Sequence, residues 1–237
     1  KGKAVVSIGG GTSTNLTSEN YIGMSSGVAT FVNQAVGSPQ VFEAANSRSI
    51  SSSFDSSNNK VVVAYKDEGN SSYGTAIVGT VSGNSISFGS AVVFESAETD
   101  YISVSFDSSN NKVVIAYRDR GNSNYGTAIV GTVSGTSISF GTPVVFESAA
   151  STYISSTFDS NSNKVVIAYA DGGNSSYGTA IVGTVSGTNI SFGSATAFNS
   201  GATTFSSTSF DSSNNKVVIA YSDGGNSSYG TAIVGTV

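Results

Sequence analysis

Cysteine and histidine are both absent from the 237 residues of this chain. Their absence excludes disulfides, thiolate catalysis, haem attachment through cysteine, and zinc sites built from Cys or His ligands. Any bound metal would have to be a hard cation held by oxygen ligands. The lack of cysteine does not identify a redox compartment, but it means that stability cannot depend on cross-links.

Basic residues and long apolar runs are also scarce. Ten Lys and Arg residues stand against fifteen Asp and Glu, and the formal net charge is −5. Because nucleic-acid affinity comes largely from clusters of Lys and Arg, we expect no nucleic-acid partner. No apolar run approaches the roughly 20 residues of a membrane helix, so we expect no membrane insertion. The chain begins with Lys1 and no signal peptide follows, so we expect a piece or processed form of a longer polypeptide.

The chain contains an internal repeat of 52 residues without insertions or deletions. The segments AYKDEGNSSYGTAIVGTV, AYRDRGNSNYGTAIVGTV, AYADGGNSSYGTAIVGTV and AYSDGGNSSYGTAIVGTV begin at Ala64, Ala116, Ala168 and Ala220. Periods of 20–50 residues are typical of solenoids, propellers and repeat arrays.

Each copy has the composition of β-strands separated by tight turns. Segments such as KVVIAY and IVGTV are rich in β-branched and aromatic residues, and Asp, Asn, Ser and Gly fill the connections. No helical apolar stripe is present, and Leu occurs once. In strand b of the second copy the run from Val113 to Ala116 is apolar without alternation, which predicts burial on both faces. The four strands predicted in that copy, a to d, are 102–107, 112–117, 125–133 and 137–147.

Four short antiparallel strands repeated without gaps predict an all-β fold, a β-propeller of four-stranded blades. An open β-solenoid is the alternative. Residues 36–45 align with strand d of later copies, so we expect them to complete the last blade and close the ring. Residues 1–30 are predicted to be a linker or part of an extra blade, with strands at 2–8 and 20–25. Four blades are preferred over five. The propeller spans 31–237, with repeats at about 51–102, 103–154, 155–206 and 207–237.

Differences among the copies concentrate in two connections. The a–b loop is almost constant, as DSSNN or DSNSN, whereas the b–c and d–a loops vary. In a four-stranded blade these two variable loops lie on the same face, so the pattern predicts a display face. Aromatic residues and Arg are typical anchors of recognition surfaces. Neutral drift in exposed loops is the alternative interpretation. The predicted ligand-binding residues are Arg48, Lys66, Glu68, Glu98, Asp100, Tyr101, Arg118, Arg120, Tyr153 and Phe205.

Catalytic and metal chemistry find little support in the sequence. Glycoside hydrolysis needs two unlike carboxylates, and Glu98 and Asp100 are the only acidic pair that does not recur in every copy. A Ser nucleophile would need a base, and no candidate is apparent. We therefore predict no catalytic residues, no enzyme activity and no cofactor. The aspartate of D-x-G-N-S favours an Asx turn over a calcium ligand. Its four instances, the calcium candidates, are Asp67, Asp119, Asp171 and Asp223.

Two segments carry a resemblance to a known group of proteins. The repeat FDSSNNKVVIAYRDRGNSNYGTAIVGTVSGTSISFG at 106–141 resembles repeats of marine phage and metagenomic proteins. The phrase TNLTSENYIGMSSG at 14–27 is similar to segments beside such repeats in phage tail fibre-like virion structural proteins. In those proteins the NYIG segment follows the repeats, whereas here it precedes them. Residues 1–30 are therefore expected to link to an upstream fibre segment.

The resemblance implies a structural or receptor-binding role outside the cell, on a virion or its tail fibre, without catalytic residues. The implied partners are a host cell-surface glycan or outer-membrane protein, together with other virion or fibre proteins. A purely architectural module is the alternative, and a hydrolase of surface polysaccharide is the third hypothesis.

Overall fold

A computed structural model of the chain describes the backbone of residues 20–25 and 28–33 and all of residues 36–237. The chain divides into two compact units, one of residues 1–39 with 83–85 and one of residues 40–82 with 86–237.

The described strands of the first unit form one antiparallel hairpin of β1 (Asn20–Ser25) and β2 (Val28–Asn33). The strand predicted at 20–25 is confirmed. The strand predicted at 2–8 lies outside the described residues.

The second unit is all-β apart from three single-turn 3₁₀ helices at Glu68–Asn70, Gly172–Asn174 and Gly224–Asn226. Its fifteen strands are hydrogen-bonded into one antiparallel sheet in which the four copies follow one another. The strands are β3 (Ser47–Asp55), β4 (Lys60–Asp67), β5 (Tyr73–Ser82), β6 (Ser85–Phe88), β7 (Val92–Asp107), β8 (Lys112–Asp119), β9 (Tyr125–Ser134), β10 (Ser137–Phe140), β11 (Val144–Asp159), β12 (Lys164–Asp171), β13 (Tyr177–Ser186), β14 (Asn189–Phe192), β15 (Thr196–Asp211), β16 (Lys216–Asp223) and β17 (Tyr229–Gly235).

The predicted strands b and c are confirmed, whereas strand d and the d–a loop differ from the prediction. Strand d is split: β10 pairs with the end of β9, and the first half of β11 pairs with its beginning. No loop follows, because β11 continues as strand a of the third copy and pairs with β12. The long strands β7, β11 and β15 therefore each join two consecutive copies.

One left-handed residue makes this continuity possible. Tyr101 of β7 has φ of 50°, and the register of β7 against β8 shifts between Asp100 and Ser103. Such a bulge bends a strand without ending it, so a segment with loop-like composition stays extended. Tyr153 and Phe205 repeat the conformation in β11 and β15.

The core lies between consecutive copies, because neighbouring parts of the continuous sheet pack face to face. Val62 and Ala64 of β4 cluster with Val113 and Ile115 of β8, and the same arrangement recurs between later copies. Val113 to Tyr117 are all at most 1% exposed. The prediction that strand b is buried on both faces is confirmed.

The constant a–b loops also connect the copies. Asp107 accepts hydrogen bonds from the backbone amides of Ser109 and Asn110 at 2.9 and 3.0 Å, which fixes the turn. Ser57 donates to Asn111 of the next copy at 2.5 Å, and Ser109 donates to Asn163 in the same way. The near-constancy of this loop therefore has a structural cause.

The sheet is open at both ends, contrary to the predicted closure. Within the described residues β3 pairs only with β4, and β17 pairs only with β16. Residues 36–45 form no strand; instead Phe42 packs against Tyr65 of the first copy, with ring centroids 5.1 Å apart. The all-β antiparallel class is confirmed, while a closed ring of blades is not present.

Candidate functional site

The variable residues gather at one end of the strands, where strand b ends and the long strands bend. Lys66 and Arg118 are the last residues but one of β4 and β8, and Asp100 lies at the bulge of β7. Asp100 is paired in register with Arg118 across β7 and β8. Folding therefore brings together the two sets of residues that the sequence places in separate loops.

The centre of this end is an ion network built around Asp100. Its Oδ2 accepts a hydrogen bond from Arg118 Nη2 at 2.6 Å and one from Arg120 Nε at 2.5 Å. Its Oδ1 lies 3.2 Å from Lys66 Nζ, which also lies 2.5 Å from Glu98 Oε1. Lys66 belongs to the first copy and Arg118 and Arg120 to the second, and all three contact acids of β7, the strand that joins these copies, so the network bridges two copies.

The ion network shifts the pKa values of two of its buried members, Lys66 and Asp100. Burial opposes the charge of Lys66, whose side chain is only 9% exposed, but bonds to Glu98 and Asp100 outweigh it and raise its pKa. Burial likewise acts to raise the pKa of Asp100, yet hydrogen bonds from Arg118, Arg120 and Lys66 lower it. Both groups are therefore charged at neutral pH and neutralise each other.

A second, more exposed ion pair lies in the first copy. Arg48 Nε lies 2.6 Å from Glu68 Oε1, and Asn46 donates to the same carboxylate. The Arg48 side chain is 67% exposed. The seven charged residues predicted as ligand-binding are thus four cations and three anions. Each of them forms an ion pair either in the network around Asp100 or in the Arg48–Glu68 pair.

The three aromatic residues of the predicted set form a continuous row across the copies. The ring centroids of Tyr101 and Tyr153 are 5.2 Å apart, and those of Tyr153 and Phe205 are 5.0 Å apart. The guanidinium of Arg118 lies 4.8 Å above the ring of Tyr101, a cation–π contact that joins the row to the ion network. Phe205, at the other end, is 75% exposed.

The sequence pattern places these aromatic residues on a loop, and the row is seen only in the folded structure. All three have left-handed backbone conformations, as does Ser49 at the equivalent position of the first copy. A non-glycine residue with positive φ is uncommon and often marks a functional site. The signal available in the sequence is the 52-residue spacing of Tyr101, Tyr153 and Phe205, which places equivalent side chains on neighbouring copies.

A pairing of Glu and Tyr within the junctions between copies was also missed. Tyr117 of β8 donates its hydroxyl to Glu95 of β7 at 3.1 Å, and the Tyr65–Glu43 and Tyr169–Glu147 pairs repeat the bond. Burial, and then the nearby charge of Asp119, raise the pKa of Glu95. In the fourth copy the equivalent residue is Asn199, which donates to Asp223 at 3.1 Å. These carboxylates hold the junctions together.

The calcium candidates act as caps of the b–c turn. Asp67 accepts hydrogen bonds from the amides of Gly69 and Asn70 at 3.0 and 3.1 Å, and Asp119, Asp171 and Asp223 make equivalent bonds. The predicted Asx turn is confirmed. Among the residues that the structure describes, no three His, Cys, Asp or Glu residues are grouped so that they could hold a metal ion.

Glu98 and Asp100, the acidic pair considered for hydrolysis, both contact Lys66. Hydrogen bonds from the neighbouring cations lower the pKa of Asp100, whereas a general acid needs a raised pKa. Arg120 adds a second cation to both, at 3.5 Å from Glu98 and 2.5 Å from Asp100.

Comparison with protein-family models finds none that matches the chain, and comparison with curated proteins finds no match. No helix within the described part of the chain has the length and apolar character needed to cross a membrane.

Proposed function

We propose that the chain is a non-enzymatic recognition module of a phage fibre or another extracellular surface protein. Its ligand is a host cell-surface glycan or outer-membrane protein, bound by the end of the strands that carries the aromatic row and the ion network. Other virion or fibre proteins are the proposed structural partners. The observation that carries this proposal is the row of Tyr101, Tyr153 and Phe205, which ends in a large exposed aromatic side chain.

Aromatic rings suit this role because their faces stack on sugars and on apolar side chains with little loss of conformational entropy. The positive φ belongs to the bulge, since Ser49 shares it in the first copy, so the backbone at this position does not itself require an aromatic side chain. The exposed Arg48 and the partly exposed Arg120 and Glu98 provide hydrogen-bonding groups at the rim.

The second candidate function is a purely architectural module of a virion or fibre, with no ligand. The ion network favours it, because Lys66 and Arg118 both pair with Asp100 and so link two copies. Hydrolysis of surface polysaccharide is the third and weakest candidate.

We also propose that the copies are blades of a β-propeller. Support comes from the order of four antiparallel strands in each copy and from the face-to-face packing of consecutive copies.

The test is binding of the fluorescently labelled chain to a panel of intact marine bacteria. The aromatic variant carries Tyr101→Ser, Tyr153→Ser and Phe205→Ser, which copy the residue found at Ser49. We expect strain-selective binding by the wild type and at least a tenfold loss in this variant, since each aromatic anchor contributes roughly 1–3 kcal/mol.

A second, charge-free variant tests the ion network separately from the aromatic row. Each charged residue is replaced by the residue at the equivalent position of the third copy. A control variant, Ser160→Ala with Ser212→Ala, changes the opposite end of the strands and should bind as the wild type does. Equal binding by all variants, or no binding to any strain, would favour the architectural module. The charge-free changes are Arg48→Thr, Lys66→Ala, Glu68→Gly, Glu98→Ala, Asp100→Thr, Arg118→Ala and Arg120→Gly.

A further inference from the structure

The two ends of the sheet expose apolar side chains that the inner copies bury. At the first copy Ile50 is 54% exposed, whereas its equivalent Ile102 is 7% exposed. At the last copy Val234 is 62% exposed, whereas its equivalent Val78 is completely buried. These residues are therefore buried where a further copy lies against them and exposed at the two ends.

The inner junctions show what covers such residues. At the first junction β7 pairs with β5 through Val92 to Ala76 and Glu95 to Gly74. Between them Phe94 lies directly over Gly74, so close that a Cβ on this glycine would be 2.5 Å from the ring. The same ring then packs on Tyr117 of the next copy, with centroids 5.2 Å apart. Phe146 with Gly126, and Phe198 with Gly178, repeat the arrangement.

The first copy carries one half of such a junction. Phe42 packs on Tyr65 as Phe94 packs on Tyr117, but it is only partly buried, and its neighbour Val41 is exposed. In the described part of the chain, no strand c with a glycine equivalent to Gly74 covers the other side of Phe42.

The last copy carries the other half. Gly230 is the equivalent of Gly74, and no atom of the described residues lies within 4 Å of a Cβ built on it. Beside it is a groove of about 230 Å³ whose lining includes Phe198, Ile219 and Val234. The outer edge of β17 is thus an unpaired strand next to an apolar groove, a surface that accepts a further strand.

We propose that residues 36–45 of a second molecule of this chain pair with the outer edge of β17, with Phe42 over Gly230. The occupant is a second copy because the residues on each side are those that meet at three junctions within the chain. In one molecule, residues 40–45 and β17 lie at opposite ends of the series of copies and are not paired. The contact is head-to-tail, so it produces a multi-chain ring or a filament.

Such an assembly would present several aromatic rows side by side, and in this respect the inference extends the proposed function. Multiple copies of a weak binding site raise avidity without any new contact. The assembly itself does not depend on ligand binding, so the two proposals can fail separately.

The experiment is sedimentation of the full chain over a range of concentrations. We expect a mass of at least twice 23.8 kDa at a protein concentration of about 100 µM. This concentration is well above the dissociation constant, on the order of 1 µM, that we expect for the contact. Gly230→Leu fills the place of the Phe42 ring and should give a single-chain species. Val41→Pro removes a strand amide at the other end and should do the same. Open space at Gly230 and exposure of Val41 make both variants compatible with folding, which circular dichroism checks.

Mixing the two variants provides the decisive measurement. Gly230→Leu retains an intact first end and Val41→Pro an intact last end, so the mixture should form a 1:1 dimer and nothing larger. A wild-type chain that stays at the single-chain mass at about 100 µM would overturn the proposal. Rapid hydrogen exchange in β17 of that species would indicate an open monomer, whereas slow exchange would indicate a ring closed within one molecule.

Discussion

Asp100 is the residue on which the ion network depends, because it accepts from three cations at once. Asp100→Asn would leave Glu98 as the one anion paired with the buried ammonium of Lys66 among the described residues. Since removing one partner of a largely buried pair leaves an uncompensated charge, we expect a loss of about 2–4 kcal/mol in unfolding free energy. Urea denaturation at pH 7 measures this loss.

The loss should depend on pH in a defined direction. The pKa of Asp100 is lowered in the folded state, so its contribution is present above its ordinary value of about 4 and disappears as the pH falls through the folded value. Arg48→Thr, which removes the exposed Arg48–Glu68 pair, is the control and should change stability by about 1 kcal/mol at most. Equal effects of the two variants would contradict a buried network.

Glu95 behaves in the opposite way, because burial and the charge of Asp119 raise its pKa. An acid with a raised folded pKa makes the protein more stable as the pH falls from neutral through that value. Glu95→Gln retains an acceptor for Tyr117 and removes the charge; the fourth copy has the neutral Asn199 at the equivalent position. We expect a gain on the order of 1 kcal/mol at pH 7 and no gain at pH 4, measured by thermal unfolding.

The matched control for this prediction is Glu147→Gln, which changes the same position one copy later and its bond to Tyr169. Destabilisation by Glu95→Gln at both pH values would contradict this prediction. It would mean that the hydrogen bond from Tyr117 to the carboxylate stabilises the fold by more than burial of the charge destabilises it.

At the scale of elements, the junction between consecutive copies depends on a glycine in strand c. A Cβ on Gly126 would lie 2.4 Å from the Phe146 ring, so Gly126→Ala should force the ring away and cost about 1–3 kcal/mol. Gly230→Ala changes the equivalent residue at the open edge. In dilute protein its effect should stay within about 0.5 kcal/mol. Denaturant midpoints of the two variants test this, and similar losses would mean that β17 is covered.

The long strands are the elements whose form the sequence did not predict. Turn-like residues such as those around Asp100 and Tyr101 suggest a d–a loop, yet β7 passes through them with one left-handed residue and a register shift. Pairing on both sides decides the outcome, since the first half of β7 bonds to β5 and the second half to β8. Tertiary pairing overrides local propensity here.

For the whole molecule, the packing predicts a gradient of local stability. Strands β8, β9 and β12 are covered on both faces by neighbouring copies, while β17 is exposed along most of its length. We expect amides of β17 to exchange with solvent fastest and those of β8 and β12 slowest, because local opening exposes less apolar surface at the end. Hydrogen exchange in dilute protein checks this, and uniform protection of all four copies would refute the gradient.

The sequence by itself determined the features that lie within one copy: strands b and c, burial of strand b on both faces, and the aspartate that caps the b–c turn. Each depends on residues close together in the chain, where periodicity and turn chemistry are informative. Only the tertiary structure decided the continuous long strands, the network around Asp100, the row of Tyr101, Tyr153 and Phe205, and the two open ends. These depend on how one copy lies against the next, because the contacts of the network and the row join residues from 18 positions apart, for Asp100 and Arg118, to 52 positions apart, for Tyr101 and Tyr153.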